Sequence, residues 1–142
     1  MNDKIISFGA PVGRLLMSAI FFISGISKIT SYQNTAAWME SEGVPGFLLL
    51  IVIPLEVLGG LAIIVGWNTR IIALLFAGFC LLSGILFHGN FSDQTQMAMF
   101  MKNLAIAGGF IMLMIHGAGH YSIDTRSSNE DEVMSLKLCT SN

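Results

Sequence analysis

Four apolar stretches, each close to the roughly 20 residues that a membrane-crossing helix needs, divide the chain. They cover about 10–29, 45–66, 70–88 and 97–116, with polar segments at 31–43 and 89–96 between them. Backbone polar groups cannot be left bare in lipid, so such stretches must form helices or a closed barrel. Barrel strands alternate polar and apolar positions. The runs 48–53 and 71–76 are apolar without alternation, which predicts helices. Pro11 and Pro45 suit the first turns of the first and second helices, where a missing N–H costs nothing. Trp67, Asn68 and Thr69 leave room only for a tight turn, so the second and third helices must form an antiparallel hairpin. The expected fold is all-α: four transmembrane helices in an up-down-up-down bundle over 1–126. A serine- and acid-rich cytoplasmic tail at 127–142 is expected to be disordered.

Composition strengthens this reading. The 142 residues are 54% hydrophobic and only 11% charged, with mean hydropathy +0.71. Soluble domains carry about 25% charged residues, and this chain has too few to cover a water-facing surface. The first apolar stretch lacks a cleavage-like site and is followed by three more, so it reads as a retained span rather than a signal peptide. No basic patch suggests nucleic acid. Cys80 lies within an apolar run and Cys139 in the tail, so neither a disulfide nor a C-x-x-C redox pair is expected. Lys4, Arg14, Arg70, Arg126 and Lys137 fall on the side that holds both termini, against Lys28 and Lys102 on the other. The positive-inside rule places both termini in the cytoplasm. Trp38 and Trp67 occupy interfacial positions.

Candidate chemistry rests on a few polar residues inside the spans. Glu56 lies halfway along the second, just after Pro54, which removes a helix hydrogen bond and is expected to kink the helix. A carboxyl at that depth needs a partner or a cavity, and is a candidate for taking up and releasing protons. Lys102 falls at a similar depth in the fourth span, so a Glu56–Lys102 ion pair is expected. His88 and Asn103 approach from the same side, and Lys28 caps the outer end of the first helix. Arg14 and Arg70 are membrane-end charges; Arg14 and Lys28 are expected to snorkel to the headgroups. The pair either locks helix register or belongs to a functional polar pocket.

Other readings are weaker. His116 and His120 have i, i+4 spacing, but glycines break the helix between them and a third ligand is lacking, so no metal site is expected. His88 and His116 end spans on opposite faces, too far apart to share a haem. Small residues such as Gly59, Gly60, Gly78, Ala105 and Gly108 read as helix-packing positions. The methionines of the fourth span read as apolar filler rather than a copper path. No nucleotide loop or nucleophile–base pair marks an enzyme.

The ordered set Arg14 … Ser24-Gly25-Ile26-Ser27-Lys28, Gly43-Val44-Pro45-Gly46, Leu55-Glu56-Val57-Leu58-Gly59-Gly60, Gly66 … Thr69-Arg70 and Phe87-His88 resembles the DoxX family. Phe100-Met101-Lys102-Asn103-Leu104 … Gly108-Gly109 and Gly117-Ala118-Gly119 … Tyr121-Ser122-Ile123-Asp124 extend the resemblance to Arg126, most closely to its YqjF-type inner-membrane branch. The resemblance implies a bacterial inner-membrane protein and a membrane subunit of a redox system handling quinone, thiol or sulfur compounds. Quinone is then the candidate cofactor, and a redox protein, a second copy of the chain and the lipid bilayer are the candidate partners. Polar positions matching the family are Arg14, Lys28, Glu56, Arg70, His88, Lys102 and Asn103. The alternatives are a non-catalytic scaffold or assembly factor and, third, a small transporter, for which four helices are few and no inverted repeat is evident.

Overall fold

The computed structural model describes residues 3–119 and 121–127. It contains α1 (Asp3–Thr30), α2 (Tyr32–Ser41), the composite helix α3 (Gly46–Val65), α4 (Thr69–Phe87) and α5 (Gln94–His116). Among the described residues there is no strand. Four helical segments are long and apolar enough to cross a bilayer: Phe8–Thr30, Gly46–Val65, Thr69–Phe87 and Gln94–His116. The tail from residue 128 onward and His120 lie outside the described residues.

Two local expectations are corrected. Helix α1 begins earlier than position 10, so Pro11 lies inside it rather than in its first turn. The carbonyl that Pro11 leaves unpaired belongs to residue 7, just before the apolar stretch, where water can satisfy it. The segment 31–43 is not a plain loop: Tyr32–Ser41 is helical. Its polar composition hid a short amphipathic pattern. Tyr32, Ala36 and Met39, at i, i+4 and i+7, pack beside Val44 and Leu49.

The irregularity at Pro54 takes the form of a π turn. Helix α3 opens with a 3₁₀ turn at Gly46–Leu48, continues as α-helix over Leu49–Pro54, widens at Leu55–Gly59, and resumes α geometry at Gly60–Val65. Such single wide turns re-aim side chains and concentrate at functional sites. The helix then stops in a Schellman motif: Trp67 N–H donates to the Ala62 carbonyl at 2.9 Å and Gly66 N–H to Ile63 at 3.2 Å. Gly66 takes the left-handed conformation this requires (φ 72). Asn68, also left-handed (φ 48), completes the tight turn into α4.

Helices α4 and α5 form the most extensive pair, and α1 packs along α3. Phe21, Phe76 and Phe110 fill the core, with ring centroids 4.5–5.5 Å apart, beside Ile63, Ala73, Ala77, Cys80 and Ala107. Aromatic groups at such distances add about 0.5–1.5 kcal/mol per pair beyond their burial. The outer faces are different. Leu16, Ile23, Leu50, Ile51, Leu58 and Ile85 are all exposed, and no more than 33% of the most apolar window of any span is buried. Apolar surface on this scale needs lipid to cover it.

Candidate functional site: a cavity beside a buried ion pair

On α1, Ser24 and Lys28 stand four residues apart and therefore share a face. That face meets the π turn of α3. Lys28 does not run out to the headgroups. Its stem folds back one turn, and Nζ donates to Ser24 Oγ at 2.5 Å and to both Glu56 oxygens, Oε1 at 2.9 Å and Oε2 at 2.8 Å. Ser24 Oγ lies 3.5 Å from Glu56 Oε1. Glu56 is 2% exposed and the Lys28 side chain 23%. Gly25 permits the approach: a Cβ there would stand 2.7 Å from Val57 Cγ2 and 3.0 Å from Glu56 Cβ. Gly60 does the same on the other helix, facing the backbone of Phe22. Close backbone contact through small residues is the usual way membrane helices pack tightly.

The expected Glu56–Lys102 pair is thus replaced by Glu56–Lys28. Lys102 is exposed, with Nζ 3.3 Å from Met99 Sδ one turn earlier on α5. Depth along a helix follows from counting residues, but the side to which a side chain points depends on how the helices are rotated against one another. Arg14 departs from expectation too. It is 2% exposed rather than snorkelled. One terminal nitrogen donates to the Tyr121 carbonyl, while Nε and the other terminal nitrogen have no partner among the described residues.

Above the ion pair lies a cavity of about 220 Å³. Ser24, Lys28, Glu56, His88, Lys102 and Asn103 all line it, so every pocket residue expected from the sequence reaches one space. Phe21 and Phe79 close its floor, joining it to the aromatic core. Thr35, Trp38 and Met39 of α2 form a wall, and Trp38 stacks on Phe87 at 4.8 Å between ring centroids. His88 is fixed by Nδ1, which donates to the Gln96 side-chain oxygen at 2.7 Å. Ser24, Ser83, Thr35 and Met39 were not singled out from the sequence as pocket residues, and Trp38 was read only as an interfacial residue. The i, i+4 relation of Ser24 to Lys28 could have found the first; the α2 wall needed the 32–36–39 pattern.

Among the described residues no three His, Cys, Asp or Glu side chains gather as a metal site. What the cavity does contain is a neutralised acid–base pair, a second ammonium, an imidazole, an amide and three hydroxyls around an aromatic floor. Such a space can hydrogen-bond a small polar ring or an anion.

A family model for DoxX matches residues 9–89. The chain belongs to the DoxX family. This DoxX protein is 52% identical to inner membrane protein YqjF of Escherichia coli (strain K12), over 85% of this chain and 93% of that one. It is 33% identical to inner membrane protein YphA of the same organism, over 81% of this chain and 87% of the other. It is 28% identical to the "Putative oxidoreductase CatD" of Bacillus subtilis (strain 168), over 75% and 84%. No solved structure matches it. The four apolar helices and the inner-membrane relatives together make this DoxX chain a multi-pass bacterial inner-membrane protein in contact with lipid.

Proposed function

We propose that this DoxX protein is the membrane subunit of a redox system and that its cavity receives a quinone head group or a small thiol or sulfur compound. The observation that carries the reading is the cavity itself: an ion pair, an imidazole and an amide gathered in an apolar bundle, where ionisable groups mark function by default. At about 220 Å³ it is smaller than pockets for drug-sized ligands, which run about 300–1,000 Å³. That size suits a head group or a small solute rather than a whole cofactor. The relative named as an oxidoreductase supports the redox class. Electrons come from a partner protein, since no resident redox motif is evident in the chain. The bundle runs up-down-up-down over 1–126 with both termini in the cytoplasm, and the cavity then opens toward the outer face.

Trp38 lines the cavity while Trp67 lies in the turn between α3 and α4, so tryptophan fluorescence reports binding. Purified protein titrated with a water-soluble quinone, and separately with a small thiol, should show saturable quenching in wild type. The quenching should be lost in Trp38→Phe and weakened at least about tenfold in Glu56→Gln. Absence of saturable binding to every compound tried, with Glu56→Gln cells showing wild-type thiol and peroxide tolerance, would remove the redox reading.

The ion pair also favours a second reading, a non-catalytic scaffold in which Lys28 and Glu56 only lock α1 to α3. That reading expects Glu56→Lys to lose protein from the membrane, and the swap with Lys28→Glu to restore it together with the phenotype. A swap that restores protein but not function would favour the pocket.

A further inference from the structure

At the end of the bundle away from the cavity, a second cleft of about 720 Å³ opens between the start of α4 and the segment after α5. Arg70 and His116 flank it. The Arg70 guanidinium lies over Gly117, where a Cβ would stand 3.5 Å from Nε and 3.7 Å from a terminal nitrogen. Neither Arg70 nor His116 forms an ion pair among the described residues. The carboxylate in the cleft is already engaged. Asp124 Oδ1 accepts from Asn68 N–H at 2.6 Å and Oδ2 from Thr69 N–H at 2.9 Å, with Arg14 in electrostatic reach. His116 Nδ1 donates to the Met112 carbonyl at 2.9 Å, which leaves Nε2 available. Thr69 also lines the cleft. It is 0% exposed, and its Oγ1 has no hydrogen-bond partner among the described residues. A buried hydroxyl without a partner is costly, and an acceptor in the cleft would satisfy it.

We propose that this cleft binds a phosphoryl anion presented by the head group of an anionic phospholipid. Arg70 offers a planar fork of donors suited to phosphate oxygens. The Thr69 hydroxyl supplies a third donor, and the His116 ring flanks the site with Nε2 available. The level of the site argues for lipid as the source: Thr69 begins one apolar span and His116 ends another, so the cleft sits where head-group phosphates lie. An arginine placed only by the interfacial field would behave like a lysine, and would leave Thr69 uninvolved. The site is independent of the cavity and of the redox reading.

The test uses the full chain purified in mild detergent, with lipid retention measured by native mass spectrometry against phosphatidylglycerol and phosphatidylcholine. Wild type should retain phosphatidylglycerol in preference. Arg70→Gln should weaken that retention about tenfold or more, as for loss of a charge-assisted hydrogen bond. Thr69→Val should weaken it about fivefold and Arg70→Lys several-fold, because charge without the fork is not enough. Thr69→Ser keeps the hydroxyl and should match wild type, which separates donor loss from misfolding. Equal retention of the two lipids, or identical retention in wild type and Arg70→Gln, overturns the proposal. Inorganic phosphate that displaces phosphatidylglycerol at millimolar concentration would make free phosphate the ligand and overturn the lipid assignment.

Discussion

At the cavity end Lys28 meets Glu56 through both carboxylate oxygens, whereas at the other end Arg14 is buried more deeply and its side chain, among the described residues, hydrogen-bonds only the Tyr121 carbonyl. The first arrangement is a matched charge pair with empty space beside it. The second is a packed clamp. Gly66 has no room for a side chain, since a Cβ would stand 1.8 Å from an Arg14 terminal nitrogen and 2.5 Å from Ser122 Cβ. Asp124 binds the segment after α5 back onto the α3–α4 turn, with its own N–H donating to the Gly66 carbonyl at 2.9 Å. Two basic residues of one helix therefore do unlike work. The cavity end is sensitive to charge, and the clamp end to volume and hydrogen-bond geometry.

Four substitutions sharpen this contrast, and thermal aggregation in detergent reads each. The largest loss is expected for Lys28→Met, which strands a buried carboxylate. Removing one partner of a buried pair costs about 3–5 kcal/mol, and the partial exposure of Lys28 favours the lower end of that range. Adding Glu56→Leu should recover most of the loss; a double variant no better than the single one would mean that Lys28 acts through contacts other than Glu56. Next comes Gly66→Ala. The left-handed conformation alone costs a residue with a Cβ about 1–2 kcal/mol, and Arg14 must also move. Wild-type stability there would show that the clamp is looser than the geometry states.

A smaller effect is expected for Asp124→Ala. Asp124 caps α4 from a distant part of the chain, and loss of an N-cap costs about 0.5–2 kcal/mol. Faster amide exchange at Asn68 and Thr69 should accompany it. The smallest is Lys102→Met, within about 0.5 kcal/mol of wild type, as for exposed positions without a strong partner. A loss as large as that of Lys28→Met would return Lys102 to the role of Glu56 partner.

The relation of sequence to site is instructive in the same residues. Glu56 stands out in the sequence because a carboxylate halfway along an apolar stretch has to be compensated. The compensating residue does not stand out in the same way. Lys28 and Lys102 are both within reach by residue count, and only helix rotation distinguishes them. Ser24 joins the pair because Gly25, its neighbour, lets α1 approach the π turn, a contact 31 residues or more away in sequence. The wall formed by α2 was hidden for another reason: a short helix with a polar face has little mean hydropathy and reads as a loop.

By itself the sequence determined that the chain lies in a membrane, how many helices cross it, roughly where they begin and end, and which residues are too polar to face lipid. These are local matters, settled by transfer energy and helical rise along single segments. The tertiary structure alone decided that Lys28 pairs with Glu56, that Arg14 is buried under a clamp rather than drawn to the headgroups, and that five helices enclose one cavity. Those outcomes depend on helix rotation and close approach, which are fixed by contacts between residues far apart in the chain.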